Sequence, residues 1–191
     1  YDQSICWLVV SYMILYAWGV IMEKEIKYEN KAIADFHIPR WNELPNIALY
    51  IDQVICYLDN YLLNYTDAEK EGHILTKTMI NNYVKNSIMS STVNKKYNKE
   101  HIAKLFVISI LKQIYSINDV AKLMEIGTKK VSIEKAYDSF CNELENAVSA
   151  VFAGKEYKNE KDITFEGYVL KNVVLSFVNK LYVEKAFLKK F

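Results

Sequence analysis

This sequence predicts an all-α fold closed by a C-terminal helical hairpin, and three observations carry the prediction. Its 191 residues include 5 glycines and 2 prolines, so tight turns are few, while the helix formers Leu, Lys and Glu are abundant. Apolar residues recur at spacings of three and four in one block after another. About half of the residues are apolar, ample for a buried core. The one segment with β-branched character, residues 87–97 (SIMSSTVNKKY), reads as a short hairpin or an irregular loop.

Taken in order, the chain opens on ICWLVVSYMILYAWGVIM, residues 5–22, which carries no charge and at 18 residues just reaches the length of a membrane span. Three readings compete. It is an anchor, with Lys24, Lys27 and Lys31 holding the rest inside; or a signal peptide, although no Lys or Arg precedes it and no cleavage site is clear; or upstream sequence translated in frame, with Met22 the true start. The third is preferred, so residues 1–21 are expected to stand outside the mature protein, which has no membrane partner unless residues 5–22 are a true anchor. Residues 22–45 form an N-terminal segment and linker. Its part up to Phe36 is charged and modestly helical, and residues 37–46 hold both prolines, with Asn46 as a plausible N-cap.

Ile47, Ile51, Val54, Ile55, Leu58 and Leu62 make a helical stripe running to Tyr65. A polar loop, residues 66–73, follows. Thr76 is placed to cap a short helix starting near Lys77. Asn98 caps the next helix, with Glu100 in its first turn where the dipole favours an acid. That helix is apolar nearly all round from Leu105 to Ile114 and should be the buried centre of the domain. Ser116 and Asp119 resemble a capping box, opening a helix that runs to Ile126 and stops at Gly127. These elements set a domain at 46–127 and a hairpin at 128–191. In the hairpin, Ile133, Tyr137, Phe140, Leu144, Ala147 and Val151 are spaced as a heptad seam, equally readable as one face of a core helix. After a charged turn at 154–162, the last helix, residues 165–191, carries Leu170, Val174, Phe177, Leu181 and Leu188 beside Val173, Val178 and Tyr182. Two such helices need a partner surface, either the first domain or a second copy. A homodimer is expected, through Tyr137, Phe140, Leu144, Val151, Phe177 and Leu181.

Function points to residues 76–112. This stretch holds seven lysines against Glu100, a net +6, while residues 1–75 carry −6 and residues 113–191 carry +1. Thr78, Asn81, Asn82 and Lys85 fall at i, i+3, i+4 and i+7, so they share one helical face, opposite Met79, Ile80, Tyr83 and Val84. Adjacent asparagines cost a helix roughly half a kcal/mol each relative to Ala, which suggests a face that must hydrogen-bond something. Other chemistry has little to stand on. Cys6, Cys56 and Cys141 are far apart and read as buried free thiols in a reducing, cytoplasmic compartment. His37, His73 and His101 read as surface or capping residues, not metal ligands. Phosphate-loop, nucleophile-elbow and zinc-protease motifs are missing. No enzyme activity, cofactor or metal is expected. The 15 tyrosines follow amphipathic patterns and read as half-buried helix residues.

Three blocks, HIPRWNELPNIALYIDQV, LTKTMINNYVKN and KKYNKEHIAKLFVISILKQIYSI, occur in that order and resemble the bacterial "domain of unknown function 1836" family. The resemblance covers residues 22–191, is strongest over 38–123 and supports Met22 as the start; the family's name implies no activity. The central block also resembles, more weakly, the DNA-binding domain of MerR-type regulators, a helix-turn-helix with a wing. Tyr97, His101, Ile102 and Leu105 match the opening of the helix after that wing. Ser116, Ile117 and Val120 match the helix following, and Tyr83 and Ile88 match the second Tyr and a Leu of the reading region. The sequence departs at Asn81, which replaces an Arg, at Asn82, which replaces a Tyr, and at Ser87, which replaces a turn Gly; the Pro expected after the turn is missing. The resemblance thus implies a MerR-like winged helix-turn-helix ahead of the C-terminal hairpin.

The expected function is sequence-specific binding of double-stranded DNA by a transcriptional regulator. Asn81 and Asn82 would read base edges; Lys77, Thr78, Lys85, Lys95 and Lys96 would engage the duplex, chiefly at phosphates. A helical protein-interaction adaptor, with the hairpin as its groove, is the alternative. An enzyme or small-molecule binder comes third.

Overall fold

The computed structural model describes residues 36–65, 72–153, 155–157 and 163–188. The apolar stretch at 5–22, the charged segment after it and most of the loops at 66–73 and 154–162 lie outside them. Among the described residues there are six α-helices and one small two-stranded sheet, so the fold is all-α apart from that ribbon. The helices are α1 (Ile51–Leu62), α2 (Lys77–Lys85), α3 (Lys99–Leu111), α4 (Ile117–Thr128), α5 (Ile133–Ala153) and α6 (Phe165–Val183), the last continued by a π-helical turn, Glu184–Leu188.

The expected helix start at residue 47 is displaced. Leu49–Tyr50 (β1) pairs antiparallel with Lys96–Tyr97 (β2), in the register Leu49 with Tyr97 and Tyr50 with Lys96. These two residues give their backbone to the ribbon, and α1 begins at Ile51 behind Tyr50. Ile47, assigned to the apolar stripe, is therefore left 72% exposed. The remainder of the stripe holds, with Val54, Ile55, Leu58 and Leu62 buried. Gly127 does not stop α4; it sits inside the last turn, and the helix ends one residue later.

The helix caps follow from local chemistry. Thr76 Oγ1 accepts the Met79 amide at 3.2 Å, Asn98 Oδ1 that of His101 at 3.1 Å and Ser116 Oγ that of Asp119 at 3.2 Å. Each satisfies one of the orphan donors of a first turn, worth about 1 kcal/mol.

Helix α3 is the centre. Nine of its thirteen residues are buried, among them Ile102, Leu105, Phe106 and Ile108. Tyr57 and Tyr61 of α1 meet the Phe106 ring edge-on, with centroids 6.0 and 5.9 Å away. Among the described residues, the buried hydroxyl of Ser109 has no hydrogen-bond partner. An unpaired buried hydroxyl costs about 1 kcal/mol or more. Ser109→Ala is expected to leave the fold unchanged and raise stability by about 1 kcal/mol, read as a higher midpoint in urea unfolding.

The hairpin α5–α6 packs on α3 and α4, and one cluster of buried side chains runs through all of these helices. Here the packing is that of the second reading of the seam, one face of a core helix. Tyr137, Phe140, Leu144, Phe177 and Leu181 are each at most 4% exposed, and Val151 is half-buried, all within a single chain. The spacing is that of a core helix whose facing surface is its own domain. The thiols divide as well: Cys141 is buried, and burial pushes it up to about 12, whereas Cys56 is free and exposed, against expectation.

A strap closes the fold. Residues 37–41 cross the outer face of α5, where Arg40 Nη1 and Nη2 donate to Glu145 Oε1 and Oε2 at 2.8 and 2.6 Å. Arg40 Nε reaches Asn142 Oδ1 at 3.1 Å, and the Trp41 amide donates to Asp138 Oδ1 at 2.7 Å. The Tyr137 hydroxyl donates to the Pro39 carbonyl at 2.8 Å. Asp138, Asn142 and Glu145 lie at i, i+4 and i+7 of one helix face, so about two turns of α5 receive the strap.

Candidate nucleic-acid interface

Helix α2 sorts its residues as the spacing requires. Ile80 and Tyr83 are buried, Met79 and Val84 are half-buried, and Lys77, Thr78, Asn81, Asn82 and Lys85 are exposed. The apolar face is thus committed to the core, and the polar stripe stands in solvent. Asn82 also borders a shallow groove shared with Tyr115 and Lys180.

The helix ends sharply. The Ile88 amide donates to the Tyr83 carbonyl at 2.9 Å and the Ser87 amide to that of Val84 at 3.1 Å, the bond pattern of a Schellman stop. Ser87 takes the left-handed conformation this stop demands, with φ 57°, which costs a residue with a Cβ about 1 kcal/mol. Ser87→Gly is expected to stabilise the protein by about 0.5–1 kcal/mol, measured as a rise in melting temperature with no change in the helical signal.

Residues 93–97 form a tight turn ahead of the central helix. The Lys96 amide donates to the Val93 carbonyl at 3.0 Å, and the two residues between, Asn94 and Lys95, have φ of 52° and 60°. Positive φ at both central positions is the signature of a type I′ turn. The tip is therefore Asn94–Lys95. β2 pairs with β1, before α1, and Lys96 also bridges antiparallel to Val93 inside the 87–97 segment. The base of this turn is held by His101, which is buried. Its Nδ1 accepts the Asn98 amide at 3.1 Å, which leaves the proton on Nε2, 3.1 Å from the Ser90 carbonyl. Tyr97 stacks edge-on against the His101 ring at 5.7 Å. A capping role for His101 is readable from its position three residues after Asn98; its hold on Ser90 is not.

The start of α1 links α2 and the turn at 93–97. Lys77 Nζ lies 2.6 Å from Asp52 Oδ1, and Lys96 Nζ stands 5.0 Å from the centre of the Tyr50 ring. Two lysines of the predicted site are thus held by residues two apart in sequence. Both contacts are solvent-exposed and worth little, roughly 0–1 kcal/mol each, so they orient these cations without neutralising them in a stable way. Lys85 and Lys95 are exposed and hold no ion pair among the described residues. Lys85 lies at the far end of α2, eight residues from Lys77, about 12 Å along the axis. Among the described residues there is no cluster of three metal-ligating side chains, and no helix is long and apolar enough to cross a membrane.

A family model described as Domain of unknown function (DUF1836) matches residues 39–140, about half of the chain. No curated protein and no solved structure matches it. The matched span begins at Pro39 in the strap and ends at Phe140 in the first half of α5, so it holds part of the strap, α1 to α4, the turn at 93–97 and the first turns of the helix that receives the strap.

Proposed function

Because this chain belongs to the DUF1836 family, whose name carries no activity, we propose from its geometry that it is a sequence-specific DNA-binding protein, a cytoplasmic transcriptional regulator of MerR-like winged helix-turn-helix type. One observation supports the reading above all. The stripe Thr78, Asn81, Asn82 and Lys85 is exposed on a helix whose opposite face is buried, beside a sharp turn that carries Lys95. Asn81 and Asn82 are suited to bidentate pairing with adenine N6 and N7 in a major groove. Lys77, Thr78, Lys95 and Lys96 are suited to phosphates, and Lys85 to either. Two copies on two half-sites belong to the proposal, but their contact lies outside the buried side chains of α5 and α6.

The adaptor reading draws on a different observation. Val93, Ile47 and Tyr50, all on or next to the ribbon, are 76%, 72% and 54% exposed, a composition that suits an apolar partner as well as a duplex.

Binding titrations on selected and random duplexes at several salt concentrations separate the two. Asn81→Ala or Asn82→Ala should leave stability unchanged or slightly higher, yet cost about 1–3 kcal/mol on the cognate site and relax base preference there. Lys95→Gly should ease the left-handed turn, so the protein is at least as stable. It should nevertheless bind all sequences more weakly, with the salt slope smaller by about one unit. If the native protein shows no salt-dependent DNA binding, the regulator reading falls and the adaptor reading replaces it.

A further inference from the structure

Helices α3, α4, α5 and α6 do not close on one another completely. They leave a cavity of about 360 Å³ behind the central helix, within the range of small-molecule pockets. Val107 and Leu111 of α3, Leu123 and Met124 of α4, Phe140 of α5 and Leu170 of α6 line it. At its mouth, Val131 and Ile163 are 46% and 42% exposed, so the apolar wall continues to the surface. We propose that this cavity is a binding site for a small, uncharged, largely apolar molecule with one hydrogen-bonding group, a function independent of the DNA-binding reading.

Three features select that ligand class. First, size: a space of about 360 Å³ is that of a small-molecule pocket, and even one turn of an α-helix, about 10–12 Å across with its side chains, exceeds it. Second, charge: two of the charged groups at the wall are ion-paired and two are held by Tyr157. Lys104 pairs with Glu100 at 2.8 Å and Glu166 with Lys130 at 2.7 Å. The Glu143 carboxylate accepts the Tyr157 hydroxyl, and Lys171 Nζ stands 4.7 Å from the centre of the Tyr157 ring. An anionic ligand would lose its hydration and meet the Glu143 carboxylate, and a cationic one would compete with Tyr157 for it, so a neutral ligand enters at the least cost. Third, orientation: the Glu143–Tyr157 pair is a polar spot on an otherwise apolar wall, suited to holding one donor or acceptor of the ligand.

The test uses the full chain and Nile red, an uncharged apolar dye that brightens on leaving water. Saturable, one-to-one binding with a blue shift is expected. In a protein labelled at the methionine methyls, the Met124 signal should move with dye, while those of Met79 and Met89, away from the cavity wall, stay in place. Gly127 lines the cavity at a point where an added Cβ would meet no atom within 4 Å. Gly127→Leu from α4 and Ala136→Leu from α5 should each fill the space and weaken dye binding by about tenfold or more. A dye that does not saturate, a Met124 signal that stays put, or filled variants that bind as the native protein does would each overturn the proposal. The methyl experiment on the native chain decides it even where a filled variant folds poorly.

Discussion

Leu144→Glu is expected to abolish the folded state, and not to release a folded monomer from a dimer. Leu144 is fully buried in α5, where that helix meets α6 and α3. A carboxylate there would be desolvated with no counter-charge arranged for it, a cost of several kcal/mol. The lost packing adds to this: truncating a buried Leu to Ala alone costs about 2–5 kcal/mol, a large part of the 5–15 kcal/mol that holds a typical domain together. Leu144→Ala should therefore fold but unfold at a clearly lower denaturant concentration, and Leu144→Glu should lack a cooperative transition. Circular dichroism during urea titration reads both. A well-folded Leu144→Glu protein of half the native mass would restore the dimer seam and refute the intramolecular packing.

Arg40→Ala is expected to cost about 2–4 kcal/mol, large for a residue near the surface. Removing it strands Glu145, which is one-quarter exposed and accepts two guanidinium hydrogen bonds. It also loosens the strap that brings the Pro39 carbonyl to Tyr137. The pH dependence follows from the carboxyl. Burial raises the proton affinity of Glu145, but the Arg40 hydrogen bonds and charge outweigh it, with His37 and the Ile38 amide adding to them, so the folded value lies below the ordinary 4.5. A depressed carboxylate contributes its stability in full above the unfolded value and loses it as pH falls through the folded one. The gap in melting temperature between the native protein and Glu145→Gln should accordingly be constant near neutrality and shrink below about pH 4.5. A gap that widens in acid would mean that Arg40 and Glu145 do not form the pair described.

How much of this was legible in the chain depends on how local the cause is. Thr76, Asn98 and Ser116 cap their helices because a side-chain oxygen and an amide three residues on are neighbours in any helix start. The exposure of Asn81, Asn82 and Lys85 followed for a similar reason: Ile80 and Tyr83 commit one face of α2 to the core, and helical geometry sends the stripe the other way. The left-handed stop at Ser87 was legible only as a departure from a turn glycine; the bonds from Ile88 and Ser87 establish that the stop is made anyway.

The sequence by itself therefore determined the helices, their caps, the buried centre at α3 and the outward polar stripe, all set by contacts a few residues apart. The tertiary structure alone decided three other things. It paired Leu49–Tyr50 with Lys96–Tyr97, two short strands without a periodic signal of their own. It turned the seam of α5 inward, because a heptad specifies an apolar face and leaves open what covers it. And it brought Arg40 to Glu145 across 105 residues, since an ion pair leaves no periodic trace in sequence and exists only where the fold sets the two side chains side by side.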